Sequence, residues 1–208
     1  GPPSVSSDAR AAVSHNARPV VTYRDVQRLL DQKCTSCHTG VDAARGLRLD
    51  SWEALFSGSD HGEAVIPFDA ARSLMVELTT KLVGGPHPTE VGAEQLNDSE
   101  VALLSEWIDE GSHSETGEIP FSDAQHLLYA ANQSAALVSV IDMETNQVVR
   151  TMDLQQYGFP QNVSPHHIAV EPDGSYWYVS AIAANQILKF DRDNELVARI
   201  DFERPGLL

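Results

Sequence analysis

Two cysteines are all that this chain of 208 residues contains. So few thiols exclude a disulfide-dense secreted scaffold and any zinc site built from four cysteines. Positive charge is scarce too: 14 Lys and Arg face 30 Asp and Glu, a formal net charge of −16. A surface of that sign repels nucleic-acid phosphates and anionic membranes, and it favours solubility or a basic partner. We therefore expect no nucleic-acid binding. Long apolar runs are missing as well, since no window approaches the about 18 apolar residues that cross a bilayer. Neither a G-x-S-x-G elbow, a P-loop nor a dinucleotide fingerprint occurs. The opening GPPSVSSDARAAVSHNARP has no basic stretch followed by an apolar one. Its Ser, Ala, Pro and Gly content predicts a flexible leader over residues 1–19.

What is present begins with KCTSCHTG, residues 33–40, which holds both cysteines, Cys34 and Cys37, and then His38. A thioredoxin-like redox pair needs a strand before the first cysteine, and no strand pattern precedes Cys34. A structural zinc site needs two further ligands at suitable spacing, and there is no other cysteine. C-x-x-C-H is also the attachment motif of c-type haem. Two thiols one helical turn apart reach the two vinyl groups of one porphyrin as thioethers, and the adjacent histidine becomes the proximal iron ligand. We adopt this reading over a chance C-x-x-C-H: one covalent haem c on Cys34 and Cys37, with His38 on the iron.

The flanks agree with it. TYRDVQRLLDQK places Val26, Leu29, Leu30 and Lys33 at helical spacing, with Thr22 or Asp25 near the start. Gly40 and Gly46 then break the chain into a loop. In LNDSEVALLSEWIDEG, Asn97 and Glu100 form a candidate capping box. Val101, Leu104 and Ile108 make an apolar stripe beside Leu103 and Trp107, and Gly111 stops the helix.

The ordered segments GLRLDS, SL, LNDSE and WIDEG around this motif resemble the cytochrome c domain type of planctomycetes and related bacteria, over about residues 20–113. The resemblance implies a small helical, class I-like cytochrome c domain in which Cys34 and Cys37 carry the haem and His38 is the proximal ligand. Members of that family usually supply a distal methionine from a Met-Pro-Pro segment before the last helix. Here the corresponding stretch is GGPHPTEVGAEQL, with His87-Pro88 in that place. Three arrangements stay open: His87 as the distal ligand in a stiff Pro-flanked loop, Met75 of SLMVEL, or an open site, one filled by His61 or one filled by a histidine from elsewhere. Met75 equally suits core packing in a helix, where methionine fills gaps.

After Gly111 the polar stretch over 114–125 predicts a linker, and the pattern then changes to short β runs. Strands are expected at 126–131, 136–142, 147–154, 166–171, 176–181, 186–191 and 196–202, with turns at Asn132, Thr145-Asn146, Pro172-Asp173-Gly174 and Asp193-Asn194. Tyr129 and Tyr178, and likewise Asp142 and Asp191, lie 49 residues apart. A repeat of that size with about four strands points to β-propeller blades, and SPHHIAVEPDGSYWYVS resembles the PDG-containing YVTN type of propeller. A small β-sandwich would not require the repeat. The first unit lacks an innermost strand, and Pro205-Gly206-Leu207-Leu208 matches Pro165 to Ile168. We expect about two blades over 126–208, an incomplete ring that further chain or self-assembly completes. His166 and His167 are candidates for a second or inter-subunit ligand site, or for histidines satisfied between blades. In a regular strand they would face opposite sides. Asp173 reads as a turn former.

The fold class expected is multidomain, helical then all-β. The function expected is an exported electron-transfer protein of the periplasm or cell surface, meeting a basic redox partner, with the propeller region for docking or assembly. Two other classes remain: an oxidoreductase whose propeller holds a second active site fed by the haem, and a structural subunit of an electron-transfer filament.

Overall fold

Thr22 opens helix α1 (Tyr23–Lys33), where the Asp25 carboxylate accepts from the Thr22 backbone N–H at 2.8 Å and from its hydroxyl at 2.9 Å. The computed structural model describes residues 18–81, 86–89, 92–203 and 205–206; most of the expected leader and the match at 207–208 lie outside the described residues. The side of α1 that carries Tyr23, Val26 and Leu30 is buried, as its spacing predicts, against Leu104, Trp107 and Ile108 of helix α4 (Asp98–Asp109). Asn97 caps α4 by accepting from the N–H groups of Ser99 and Glu100, while the Glu100 carboxylate accepts from the Asn97 N–H at 2.8 Å. The expected capping box is therefore formed, and it satisfies donors that a helix start leaves unpaired.

Between these helices lie a one-turn α2 (Trp52–Leu55), started by the Ser51 side chain, and α3 (Leu74–Lys81). Trp107 is fully buried, and its ring nitrogen donates to the His113 carbonyl at 3.0 Å. At Gly111 φ is +111°, and a Cβ there would stand 2.6 Å from the Phe68 ring, so only glycine ends α4 this way. The stretch expected as a linker is folded onto the helices: Ser114 is buried, and Phe121 meets Phe56 edge-on at 5.9 Å.

The β region has all seven expected strands, each within two residues of its expected ends. Strands β1 (Leu127–Asn132), β2 (Leu137–Asp142) and β3 (Gln147–Asp153) form one antiparallel sheet in that order. Strands β4 (Pro165–Val170), β5 (Tyr176–Ala181), β6 (Gln186–Asp191) and β7 (Leu196–Asp201) form a second. The fold is thus helices followed by two antiparallel sheets. The 49-residue offset carries β1 onto β5 and β2 onto β6. It also carries the 3-10 turn Gln133–Ala135 onto Ile182–Ala184, each followed by a left-handed residue, Ala136 and Asn185.

One face of the first sheet, with Val138 and Met152, packs on Trp177, Val179, Leu188 and Phe190 of the second. Trp177 stacks on Phe190 at 4.4 Å and meets Tyr129 at 4.8 Å. The helices lean on β3 at the edge of the first sheet. Asp69, itself buried, accepts from the Thr151 hydroxyl, and Arg72 bridges Asp69 at 3.0 Å and Asp153 at 2.9 Å. The Arg150 guanidinium lies 3.6 Å over the Phe68 ring, and the Glu63 carboxylate accepts the Val148 N–H.

Candidate functional site

Helix α1 ends on Lys33, and Cys34 forms its C-cap with its N–H bonded to the Leu30 carbonyl at 2.8 Å. One further turn follows, in which the N–H groups of Cys37 and His38 both bond to the Cys34 carbonyl. Both thiols therefore sit on a single turn. Cys34 is half-buried against the helical core, Cys37 is exposed, and they are not joined. Burial pushes the Cys34 thiol up to about 11, helped by Glu100 and opposed by Lys33.

His38 is half-buried, with Nδ1 3.3 Å from the Leu47 carbonyl. A carbonyl can only accept, so Nδ1 carries the proton and Nε2 keeps its lone pair for a metal. The loop after the motif is drawn back by bonds from the Ala44 N–H to the Cys37 carbonyl and from the Leu49 N–H to the His38 carbonyl, both 2.8 Å.

His87 faces this histidine. Its N–H bonds to the Leu78 carbonyl at 2.8 Å, and the two ring centroids are 6.0 Å apart with a tilt of 58°. Imidazole nitrogens stand about 2.0–2.1 Å from a first-row metal, and a ring nitrogen about 1.1 Å from its centroid, so two rings on opposite sides of one ion lie about 6.3 Å apart. The observed separation fits one metal ion between the rings, and with two thiols on the adjacent turn the residues fit a haem c. Met75 is inside the helical core and 9% exposed, with its N–H on the Ala64 carbonyl. His61 is exposed.

In the second sheet His166 is exposed and His167 half-buried, its N–H donating to the Ser180 hydroxyl at 3.0 Å. Pro165 pairs with Ala181 but Ile168 with Val179, three steps on β4 against two on β5. The pair thus occupies a β-bulge, and the strict alternation expected of a regular strand does not hold there. Among the described residues no group of three or more His, Cys, Asp or Glu side chains is arranged for a metal ion, and no helix is long and apolar enough to cross a membrane.

Sequence reasoning missed the Leu47 carbonyl, which no side-chain motif could reveal, and Gln95. The Gln95 amide donates to the carbonyls of Pro86 at 2.9 Å and Pro88 at 3.4 Å. Lys33 was visible only as the polar member of the buried spacing of α1. Its ammonium meets Glu100 at 2.7 Å, the Gln95 carbonyl at 3.0 Å and Glu94 at 3.2 Å.

Residues 34–84 match the family model described as planctomycete cytochrome C. This segment is therefore similar to a haem-binding, electron-transferring domain whose haem c is covalently held. No curated protein matches the chain. Among solved structures, one titled dihydro-heme d1 dehydrogenase NirN in complex with DHE aligns at 14% identity and a TM-score of 0.31, over 85% of this chain and 39% of that one. A likeness that low carries no argument about fold or activity.

Proposed function

We propose that this chain is an exported c-type cytochrome that passes single electrons through one haem, attached by Cys34 and Cys37 and ligated by His38 and His87. The carrying observation is the facing pair of imidazoles, 6.0 Å apart beside the C-x-x-C turn. When bound, the haem supplies a one-electron iron couple. The chain's own part is to fix the ligands. The Leu47 carbonyl sets the His38 tautomer, and the Leu78 carbonyl anchors the His87 backbone. Two histidines give a lower potential than a histidine and a methionine would. The exposure of Cys37 supports a haem edge accessible to a partner, and a net charge of −16 favours a basic one. Attachment of haem c outside the cytoplasm supports a periplasmic or surface location. The two sheets serve as a docking or assembly region of blade-like repeats. Their support is the repeat itself: Ile200, which pairs with Ile187 as Met152 does with Val138, is 43% exposed where Met152 is buried.

The test uses the chain matured with a haem-attachment system. Haem stain should stay with the protein band on denaturing electrophoresis and vanish in the Cys34→Ala/Cys37→Ala variant. The oxidised spectrum should lack the long-wavelength methionine–iron band, and His87→Met should introduce it and raise the potential. Haem that leaves on denaturation overturns covalent attachment; a methionine band in the unaltered protein overturns His87 in favour of Met75.

A further inference from the structure

His87 stands between two prolines, and that choice removes the usual means of holding a loop. Proline has no N–H, so at Pro86 and Pro88 the only backbone groups able to bond are carbonyls. Carbonyls must be gripped by a donor. A primary amide has two N–H bonds on one nitrogen, enough to reach both. The Gln95 amide nitrogen stands 2.9 Å from the Pro86 oxygen and 3.4 Å from the Pro88 oxygen, so one side chain spans the carbonyls of the two prolines that flank the histidine.

Gln95 is held in turn. Its carbonyl accepts from Lys33 Nζ at 3.0 Å, and that ammonium also pairs with Glu100 at 2.7 Å and Glu94 at 3.2 Å. The Lys33 side chain is only 6% exposed although it carries a full charge, so its three partners fill its three donor positions. Lys33 immediately precedes Cys34. The same side chain therefore springs from the residue before the attachment turn, and its ammonium meets the cap of α4 and the residue that grips the His87 loop.

We propose that Gln95 and Lys33 are positioning residues that hold His87 opposite His38, Gln95 directly and Lys33 through Gln95. This rests on the assignment of His87 as distal ligand. Each sets how often the imidazole leaves its place. Residues that orient a metal ligand in this way commonly change metal affinity by about 10–100-fold when removed.

The experiment compares Gln95→Leu, Lys33→Ala and Lys33→Arg with the unaltered chain and with His87→Ala, all haem-loaded. Gln95 is exposed, so its loss leaves the core intact, which far-UV circular dichroism checks. Cyanide binding to the oxidised haem reports the competition with His87. Gln95→Leu should bind cyanide about tenfold more tightly and show a high-spin component in its spectrum. Lys33→Ala should move the same way by less, and Lys33→Arg, which keeps donors to the Gln95 carbonyl, should restore the low-spin spectrum. Unchanged cyanide affinity in Gln95→Leu, with His87→Ala strongly altered, overturns the clamp while leaving His87 ligation standing. Unchanged behaviour in His87→Ala as well overturns the ligand assignment itself.

Discussion

The helices bury their core with irregular chain, whereas the sheets bury theirs by repetition. In the helical part, Trp107 is reached by Tyr23 at 6.1 Å and Phe56 at 6.3 Å from separate segments, and left-handed residues such as Arg45, Phe68 and Ser112 punctuate the loops. In the sheets the Trp177–Phe190 stack sits between strands that pair residue by residue, and strand positions, turns and left-handed residues recur at one offset. Irregular chain can bring two histidines from distant loops face to face. Repeated strands can extend a face, and here they leave one open. Under the proposed function, chemistry and assembly fall to different kinds of structure.

Paired truncations test that division most sharply. Trp107→Ala and Trp177→Ala each remove a large, fully buried side chain, and each should cost about 3–5 kcal/mol. If the two parts unfold as separate units, Trp107→Ala lowers the midpoint followed by haem absorbance and leaves the β signal in the far-UV unchanged. Trp177→Ala should do the reverse. A single shared transition in both variants would show that the contacts at β3 make one cooperative unit, and the division would then hold for architecture only.

Those contacts can be loosened selectively. Asp69 is 8% exposed and accepts from Thr151 and Arg72, one on each side of the junction between helices and sheet. Thr151→Val keeps the shape and removes a donor to a buried carboxylate, which should cost about 1–3 kcal/mol. The loss should broaden or split the thermal transition and leave the haem spectrum alone. A shift in the spectrum would mean that the sheet edge bears on the haem ligands.

The same contrast explains what could be read from the chain. Strands were legible because two-residue alternation and Asn or Gly turns act locally, so Asn146, Gly174 and Asn194 mark left-handed turns where expected. Helices α1 and α4 were legible from caps and stripe. The pairing of His38 with His87 was legible only as a candidate, because it depends on two loops meeting, and loops meet through carbonyls that no motif records. Gln95 was invisible for the same reason. The bulge at His166 and His167 escaped because alternation is assumed until pairing is seen, and Phe121 folded onto Phe56 within a stretch whose polarity suggested a linker.

The smallest expected effect concerns the start of α4, where a local signal and a distant contact share one side chain. Glu100 accepts from the Asn97 N–H and from Lys33, which holds its carboxyl below the ordinary range; the Lys33 bond is the larger cause and the Asn97 N–H the next. A carboxyl lowered on folding stabilises above its unfolded value, about 4.3, and that contribution fades as pH falls through its lower folded value. Lys33 is raised on folding, chiefly by the bond to Glu100, so its share fades only in strong alkali. Asn97→Ala should therefore cost about 1 kcal/mol at neutral pH, a drop of about 4–8 °C in the melting of a unit this size. Glu100→Gln should also lower the melting temperature at pH 7, and its difference from the unaltered chain should shrink steadily in acid. A difference that stays constant from pH 7 into acid would separate Glu100 from the ion pair. The α4 start would then be held by its cap alone, and the bond to α1 would belong to Lys33 and Gln95 without it.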